Sequence, residues 1–117
     1  MRNILFVLCL CILLITGCTK TINYSKEDMI NKIIKENNYI IVDVRTKNEY
    51  DSGHIKGAIN IPYDTINEEI ELDKEKTILL YCKSGVRSSK AYKLLKELNY
   101  NVIDLGSYEN AKKMFND

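Results

Sequence analysis

The chain has 117 residues, enough for one globular domain and too few for two of ordinary size. Hydrophobic residues make up 45% of it and charged residues 28%, a balance typical of a folded globular protein. Lysine and arginine total 17 against 16 aspartate and glutamate residues, so no bulk charge favours nucleic-acid binding. We therefore expect one folded domain that does not bind nucleic acid.

The first residues differ in character from the rest of the chain. Arg2 supplies an early positive charge, and residues 4–15 are an unbroken run of 12 apolar residues. Because a helix needs roughly 20 such residues to cross a bilayer, this run is instead typical of a signal peptide. The segment that ends it, Ile15-Thr16-Gly17-Cys18, resembles the lipobox of bacterial lipoproteins. The resemblance implies cleavage before Cys18 and acyl chains on that residue.

This interpretation divides the chain into three parts: a lipoprotein signal peptide (1–17), a lipidated cysteine with a tether (18–24) and a domain (25–117). Several acyl chains would make the anchor effectively permanent. We expect the protein to be exported and held on the outer face of the cell membrane, or at the outer membrane if there is one. The same processing leaves Cys82 as the free thiol, because the other cysteines are removed or acylated.

The first half of the domain predicts alternating helices and strands. Ser25 can cap a helix, and apolar residues follow it at helical spacing to about Glu36. Residues 39–44 are a β-branched run typical of a strand buried on both faces. Residues 48–52 predict a helical turn, and residues 58–61 predict a short strand that ends before Pro62.

The second half continues the alternation. We predict a helix from Asp64 or Thr65 to Leu72, a buried strand at 77–81, a helix from Ser88 to about Asn99, a strand at 101–105 and a closing helix at 107–115. Strands that alternate with helices across short turns indicate a parallel α/β sheet covered on both faces.

Cys82 is the main candidate for chemistry. It ends a buried strand, and a helix begins a few residues later, which is where ligands bind in open α/β sheets. Amides at a helix start lack intrahelical partners, and the helix dipole adds positive potential. Lys83 and Arg87 add charge, while Gly85 permits a tight curl. These features favour the thiolate, which is the nucleophilic form of cysteine.

A plainer interpretation also exists for these residues. Free cysteine is often a small buried core residue, and the loop cations could simply be solvated. The combination of strand end, glycine, arginine and helix start around Cys82 favours a functional role over that alternative.

The loop sequence carries a family resemblance. Residues 82–88, CKSGVRS, resemble the active-site loop of the rhodanese family. Residues 42–45 (VDVR) with Glu49-Tyr50, and residues 53–62 (GHIKGAINIP), resemble two further family segments in order and spacing. The resemblance implies a rhodanese-like α/β fold with a five-stranded parallel sheet flanked by helices on both faces.

The resemblance also implies a thiosulfate-type sulfurtransferase. Sulfane sulfur would pass from thiosulfate to Cys82 as a persulfide, and cyanide or a thiol would then accept it. The residues expected to bind the persulfide and the donor are Lys83, Ser84, Gly85, Val86, Arg87 and Ser88. No cofactor is implied, and no metal is expected because metal-ligand spacing is not recognisable.

Other polar residues are expected to support the site. We interpret Asp43 and Arg45 as pairing or loop-fixing groups, with Arg45 also able to pair with Glu49 across one turn. His54, the single histidine, matches a family motif in which it looks structural and is not expected to act as a base.

Loop length separates sulfur transfer from related chemistry. Phosphatases and arsenate reductases of similar architecture have seven residues from cysteine to arginine, and this chain has six from Cys82 to Arg87. The shorter loop is the right size to surround a single sulfur atom. A persulfide carrier or redox-sensing adaptor remains the alternative, with a phosphatase behind it. The physiological donor and acceptor and the oligomeric state are left open.

Overall fold

Four parallel strands form the centre of the domain. They are β1 (Tyr39–Asp43), β2 (Ile59–Asn60), β3 (Thr77–Cys82) and β4 (Val102–Ser107), in the spatial order β2-β1-β3-β4. The computed structural model describes residues 25–117. The predicted signal peptide, the lipidation site at Cys18 and the tether lie outside the described residues.

The expectation of five strands is wrong for residues 25–117, which form four. A strand in a covered sheet needs apolar residues, and within residues 25–117 the segments outside the four strands and the helices contain no further apolar run. The longest remaining stretch, residues 66–76, is rich in charge and folds into turns, with Ile70 N–H bonded to the Asn67 carbonyl and Lys76 N–H to the Asp73 carbonyl.

Within residues 25–117, four helices surround the sheet: α1 (Lys26–Glu36), α2 (Lys47–Asp51), α3 (Val86–Glu97) and α4 (Tyr108–Phe115). Capping boxes begin two of them, Ser25 with Asp28 for α1 and Thr46 with Glu49 for α2. These helices confirm the predictions at 25–36, 48–52 and 107–115 to within a residue or two. Helix α3 begins two residues before its predicted start.

The helix predicted from Asp64 or Thr65 to Leu72 is wrong. A single 3₁₀ turn, Tyr63–Thr65, forms there, and Ile66 is already extended. The Asn67 side chain accepts a hydrogen bond from Glu69 N–H at 2.8 Å, a local turn that competes with helix formation. Acidic residues follow in the same stretch. Their negative charge would lie near the carboxyl end of the predicted helix, where it interacts unfavourably with the helix dipole.

The core lies in two layers, one on each face of the sheet. Alternate residues of β3 point to opposite faces, so Ile78, Leu80 and Cys82 pack under α3, while Leu79 and Tyr81 pack on the other side with α1 and α4. All six residues of β3 are buried. Cys82 therefore faces the helix whose amino terminus follows it. In residues 25–117 no helix is both long and apolar enough to span a bilayer.

Candidate active site

The strand order places the candidate site between β1 and β3. From these two central strands the chain moves outwards in opposite directions, to β2 on one side and to β4 on the other. A crevice forms outside the carboxyl ends of parallel strands at such a point. Asp43 ends β1 and pairs with Tyr81 in the sheet, while Cys82 ends β3. The motifs around these residues thus meet at one edge.

The loop after β3 curls over the Cys82 sulfur. The Gly85 N–H donates to Sγ at 2.9 Å, and the Ser88 hydroxyl lies 3.6 Å from Sγ. Gly85 has φ +100, and a Cβ there would lie 3.7 Å from Gly106 Cα. Backbone conformation therefore favours glycine at this position. The curl leaves Cys82 completely buried in this structure.

The same contacts favour the ionised sulfur. Burial by itself raises the pKa of the Cys82 thiol, because a charge is poorly solvated there. Hydrogen bonds from the Ser88 hydroxyl and from the amides of Ser88, Gly85 and Ser84 more than offset that penalty. The pKa of Cys82 consequently lies below its usual value of 9.0. A buried thiol with a lowered pKa differs from an inert core cysteine, whose burial would raise it.

Arg87 does not point freely into the site. Its guanidinium makes a two-pronged ion pair with Glu49, at 2.6 Å and 3.0 Å between nitrogen and oxygen. Hydrogen bonds from Arg87 are the main cause that lowers the pKa of Glu49 from 4.5 to about 2. This pair links α2 to the first turn of α3. It replaces the expected pair of Arg45 with Glu49.

Asp43 and Arg45 form a buried ion pair beneath the site. Arg45 Nη2 lies 2.6 Å from Asp43 Oδ2 and donates a second hydrogen bond to the Gly53 carbonyl at 2.6 Å. The guanidinium carbon lies 4.4 Å from the centre of the Tyr108 ring and 5.5 Å from that of Tyr81. The structure therefore joins the two residues as expected, and gives them a supporting position. The partner of Arg45 is Asp43 because the turn after β1 brings the two side chains together.

An open cavity of about 380 Å³ lies beside the loop. Charged side chains dominate its wall, and the lining residues are Arg45, Glu49, Ser52, Lys83, Tyr108 and Glu109. Lys83 is exposed at this mouth, as its expected role in attracting an anion requires. Val86, at the other end of the loop, is 62% exposed. Small molecules can therefore approach the loop from this side.

His54 lies away from the sulfur chemistry. Its Nδ1 lies 2.8 Å from the Tyr50 carbonyl, and its ring stacks on Tyr50 with centroids 3.7 Å apart. Both contacts are structural. Within residues 25–117, histidine, cysteine and carboxylate side chains form no cluster of three or more that could hold a metal ion.

Sequence reasoning located most of the site but missed two of its contacts. It placed Cys82, the loop amides and the Asp43–Arg45 pair at one edge of the sheet. It did not identify Glu49 as the partner of Arg87, although Glu49 was part of a quoted motif. The stacking of Arg45 on Tyr108 was also missed, because the two residues are 63 positions apart and no local pattern joins them.

A parallel α/β sheet that presents a strand-end cysteine to a short loop of backbone amides defines the class to which this domain belongs. Within that class, the chain belongs to the Rhodanese-like domain family, whose sequence model matches residues 26–113.

Similar proteins agree with this assignment. A rhodanese from E. coli, solved with anions, is 32% identical with a TM-score of 0.56, covering 62% of this chain and 89% of that protein. Human single-domain sulfurtransferase TSTD1 has a TM-score of 0.60 at 20% identity, covering 73% of this chain and 90% of that one, and supports the fold. The tRNA uridine(34) hydroxylase of Yersinia enterocolitica is 38% identical over an alignment of 76 positions that covers 59% of this chain. The chain spans about a fifth (22%) of that relative's length.

Proposed function

We propose that the protein is a sulfurtransferase that carries sulfane sulfur as a persulfide on Cys82. The observation that carries this proposal is the Cys82 sulfur at 2.9 Å from the Gly85 amide, with a pKa below its usual value. A loop that stabilises one anionic sulfur can stabilise a persulfide sulfur in the same way. Membership of the Rhodanese-like domain family supports the same chemistry.

The proposed cycle has two balanced steps. The Cys82 thiolate attacks the outer sulfur of thiosulfate, a new S–S bond forms, and the donor's own S–S bond breaks so that sulfite leaves with the electron pair. A nucleophilic acceptor then attacks the outer sulfur of the persulfide. Cyanide leaves as thiocyanate and a thiolate leaves as a new persulfide, and either step restores the Cys82 thiolate.

The loop residues have distinct parts in this cycle. The amides of Ser84, Gly85 and Ser88 stabilise the anionic sulfur. Lys83 is exposed in the loop and would attract an anionic donor, while Arg87 would take part in binding the donor only when its ion pair with Glu49 opens. Val86 supplies exposed apolar surface beside them. A rhodanese from E. coli, to which this chain is similar, was solved with anions, which supports an anionic donor.

Loading of Cys82 is the decisive test. After incubation with thiosulfate, the purified protein should gain about one sulfur atom, roughly 32 Da, in a form that a reducing agent removes. The gain should map to Cys82 and disappear in Cys82→Ser. Ser89→Ala, a change at an exposed residue of α3, is the control and should load normally. Absence of the gain in the unmodified protein, both with thiosulfate and with a monoanionic donor such as methanethiosulfonate, would contradict the proposal.

One observation favours a second candidate, a persulfide carrier whose protein partner drives the transfer. Cys82 is completely buried, so the loop has to move before any donor reaches the sulfur. A carrier would turn over slowly with every small donor and would pass sulfur rapidly to one partner protein. Steady-state rates with a panel of small donors separate the two functions.

We also propose that the protein is a lipoprotein, exported and anchored through Cys18. Support comes from the apolar run and the lipobox resemblance, together with a domain that begins at Ser25, seven residues after Cys18. Such a short tether would keep the site close to a membrane surface on its outer side.

A further inference from the structure

The Arg87 guanidinium is already occupied by a carboxylate. Nη1 donates to Glu49 Oε1 at 2.6 Å, and Nη2 donates to Oε2 at 3.0 Å. Arginine uses this same two-pronged geometry to bind phosphate and similar oxyanions. Glu49 therefore holds the position on Arg87 that the oxyanion end of a sulfur donor would otherwise take.

Glu49 is held in place by its own helix. The Thr46 N–H and the Thr46 hydroxyl donate to Glu49 Oε1 at 3.2 Å and 3.1 Å, as part of the capping box of α2. Its side chain is 27% exposed. Because these bonds already order the carboxylate, it loses little conformational entropy when it binds Arg87. An incoming anion must compete with a preorganised group.

The charge around the cavity gives a second reason why the site would bind anions of different charge with different affinity. Its wall carries two cations, Arg45 and Lys83, and two carboxylates, Glu49 and Glu109. Arg45 is in addition neutralised by Asp43. A reacting thiolate adds one more negative charge. The repulsion from Glu49 is twice as large for a dianion as for a monoanion at the same distance.

We propose that Glu49 is a specificity-determining residue that makes this site favour monoanionic sulfur donors, such as alkyl thiosulfonates and organic persulfides, over dianionic thiosulfate. The inference rests on the proposed sulfurtransferase function and defines its substrate class. Glu49 disfavours the dianion both by repulsion and by withholding Arg87. A monoanion needs less help from Arg87, since Lys83 and the loop amides suffice to hold it.

Two donors that differ by one charge test the inference. Thiosulfate and methanethiosulfonate both offer a terminal sulfur, and the Cys82 thiolate displaces sulfite from the first and methanesulfinate from the second. The quantity to measure is kcat/KM for thiosulfate divided by kcat/KM for methanethiosulfonate. In Glu49→Gln we expect this ratio to rise about tenfold, because one charge is removed near the reacting anion.

The chain offers matched variants for this experiment. Glutamine also completes a capping box, so Glu49→Gln should keep α2. Asp51→Asn changes charge by the same amount in the same helix, at an exposed residue that pairs with Lys47, and should alter the ratio by less than about twofold. Glu49→Asp keeps the charge and weakens the contact with Arg87, so its ratio should lie between that of the unmodified protein and that of Glu49→Gln. If Glu49→Gln does not fold, a rise of this ratio in Glu49→Asp supports the role of Glu49, and an unchanged ratio contradicts it.

The outcomes distinguish the two proposals. Suppose that Cys82 loads from either donor but that neither Glu49→Gln nor Glu49→Asp changes the ratio of kcat/KM values. This result would overturn the role of Glu49 and leave sulfur transfer intact. An equal rise in Asp51→Asn would also overturn it, because the effect would then be one of net charge. Loading from neither donor by the unmodified protein would overturn sulfur transfer itself, and the role of Glu49 with it.

Discussion

At the scale of single residues, the expected site residue Ser88 places its side-chain hydroxyl against the Cys82 sulfur. It is completely buried and lies 3.6 Å from Cys82 Sγ, 3.2 Å from the Gly85 carbonyl and 3.4 Å from the Gly106 carbonyl. A hydroxyl has one proton to donate and can accept as well. It can accept from a neutral thiol and donate to a thiolate, so it can follow the charge state of the sulfur.

Ser88→Ala should raise the pKa of the Cys82 thiol. A hydrogen bond to a charged group contributes about 1.5–3 kcal/mol, so we expect the pKa to rise by about one pH unit or more. Since alkylation requires the thiolate, the pH at which the alkylation rate reaches half its maximum should rise by the same amount. The pH dependence of alkylation by iodoacetamide measures it.

Ser89→Ala is the matched control for this prediction. Ser89 is the next residue of α3 and is exposed, so its removal should leave the pH profile where it is. An unshifted profile in Ser88→Ala, with Cys82 still reactive, would show that the amides alone stabilise the sulfur.

At the scale of elements, the segment between the 3₁₀ turn and β3 is stabilised by hydrogen bonds to a residue outside the segment. The buried Tyr100 hydroxyl donates to the Ile70 carbonyl at 2.9 Å and accepts from Leu72 N–H at 3.2 Å. These two hydrogen bonds pair backbone groups of residues 70–72 that would have formed intrahelical hydrogen bonds in the predicted helix. The distant tyrosine therefore explains how a non-helical stretch satisfies its backbone groups.

Tyr100→Phe should destabilise the domain. It leaves the Ile70 carbonyl and the Leu72 amide without their partner, which costs about 1–3 kcal/mol in the free energy of unfolding. Urea denaturation measures this loss. Tyr92→Phe is the control, since the Tyr92 hydroxyl makes no hydrogen bond within residues 25–117. Equal stability of the two variants would show that the segment is held by packing alone.

At the scale of the whole molecule, the proposal of a lipid anchor joins the domain to a membrane. The amino-terminal end of α1 follows the proposed tether directly. A permanent anchor would confine sulfur transfer to donors and acceptors that reach the outer side of that membrane.

Labelling with an alkyne fatty acid tests the anchor. After expression in a bacterium that processes lipoproteins, we expect the label in the unmodified chain and its loss in Cys18→Ser, because acylation requires that sulfur. Cys9→Ser and Cys11→Ser remove neighbouring cysteines and should keep the label. Labelling that persists in Cys18→Ser, or that is absent from the unmodified chain, would contradict the anchor.

Much of the fold was predictable because it depends on local signals. Ser25 and Thr46 begin helices through hydrogen bonds to residues three positions on, and β3 is a run of apolar residues that any covered strand requires. The placement of Cys82 at the end of that strand followed from the same pattern. The helix predicted at 64–72 failed because its two isoleucines, four residues apart, satisfy helical spacing while Asn67 forms a competing turn.

The amino-acid sequence by itself determined the alternation of helices and strands, the family, and the cysteine proposed to carry the chemistry, because each depends on neighbouring residues. Only the tertiary structure decided which charges pair. Arg45 could have met Glu49 one turn away, but the fold brings α2 beside the first turn of α3, so that Glu49 pairs with Arg87, 38 positions apart, and Arg45 pairs with Asp43. Ion pairs are set by distance in space, and distance in space is fixed only when the whole chain has folded.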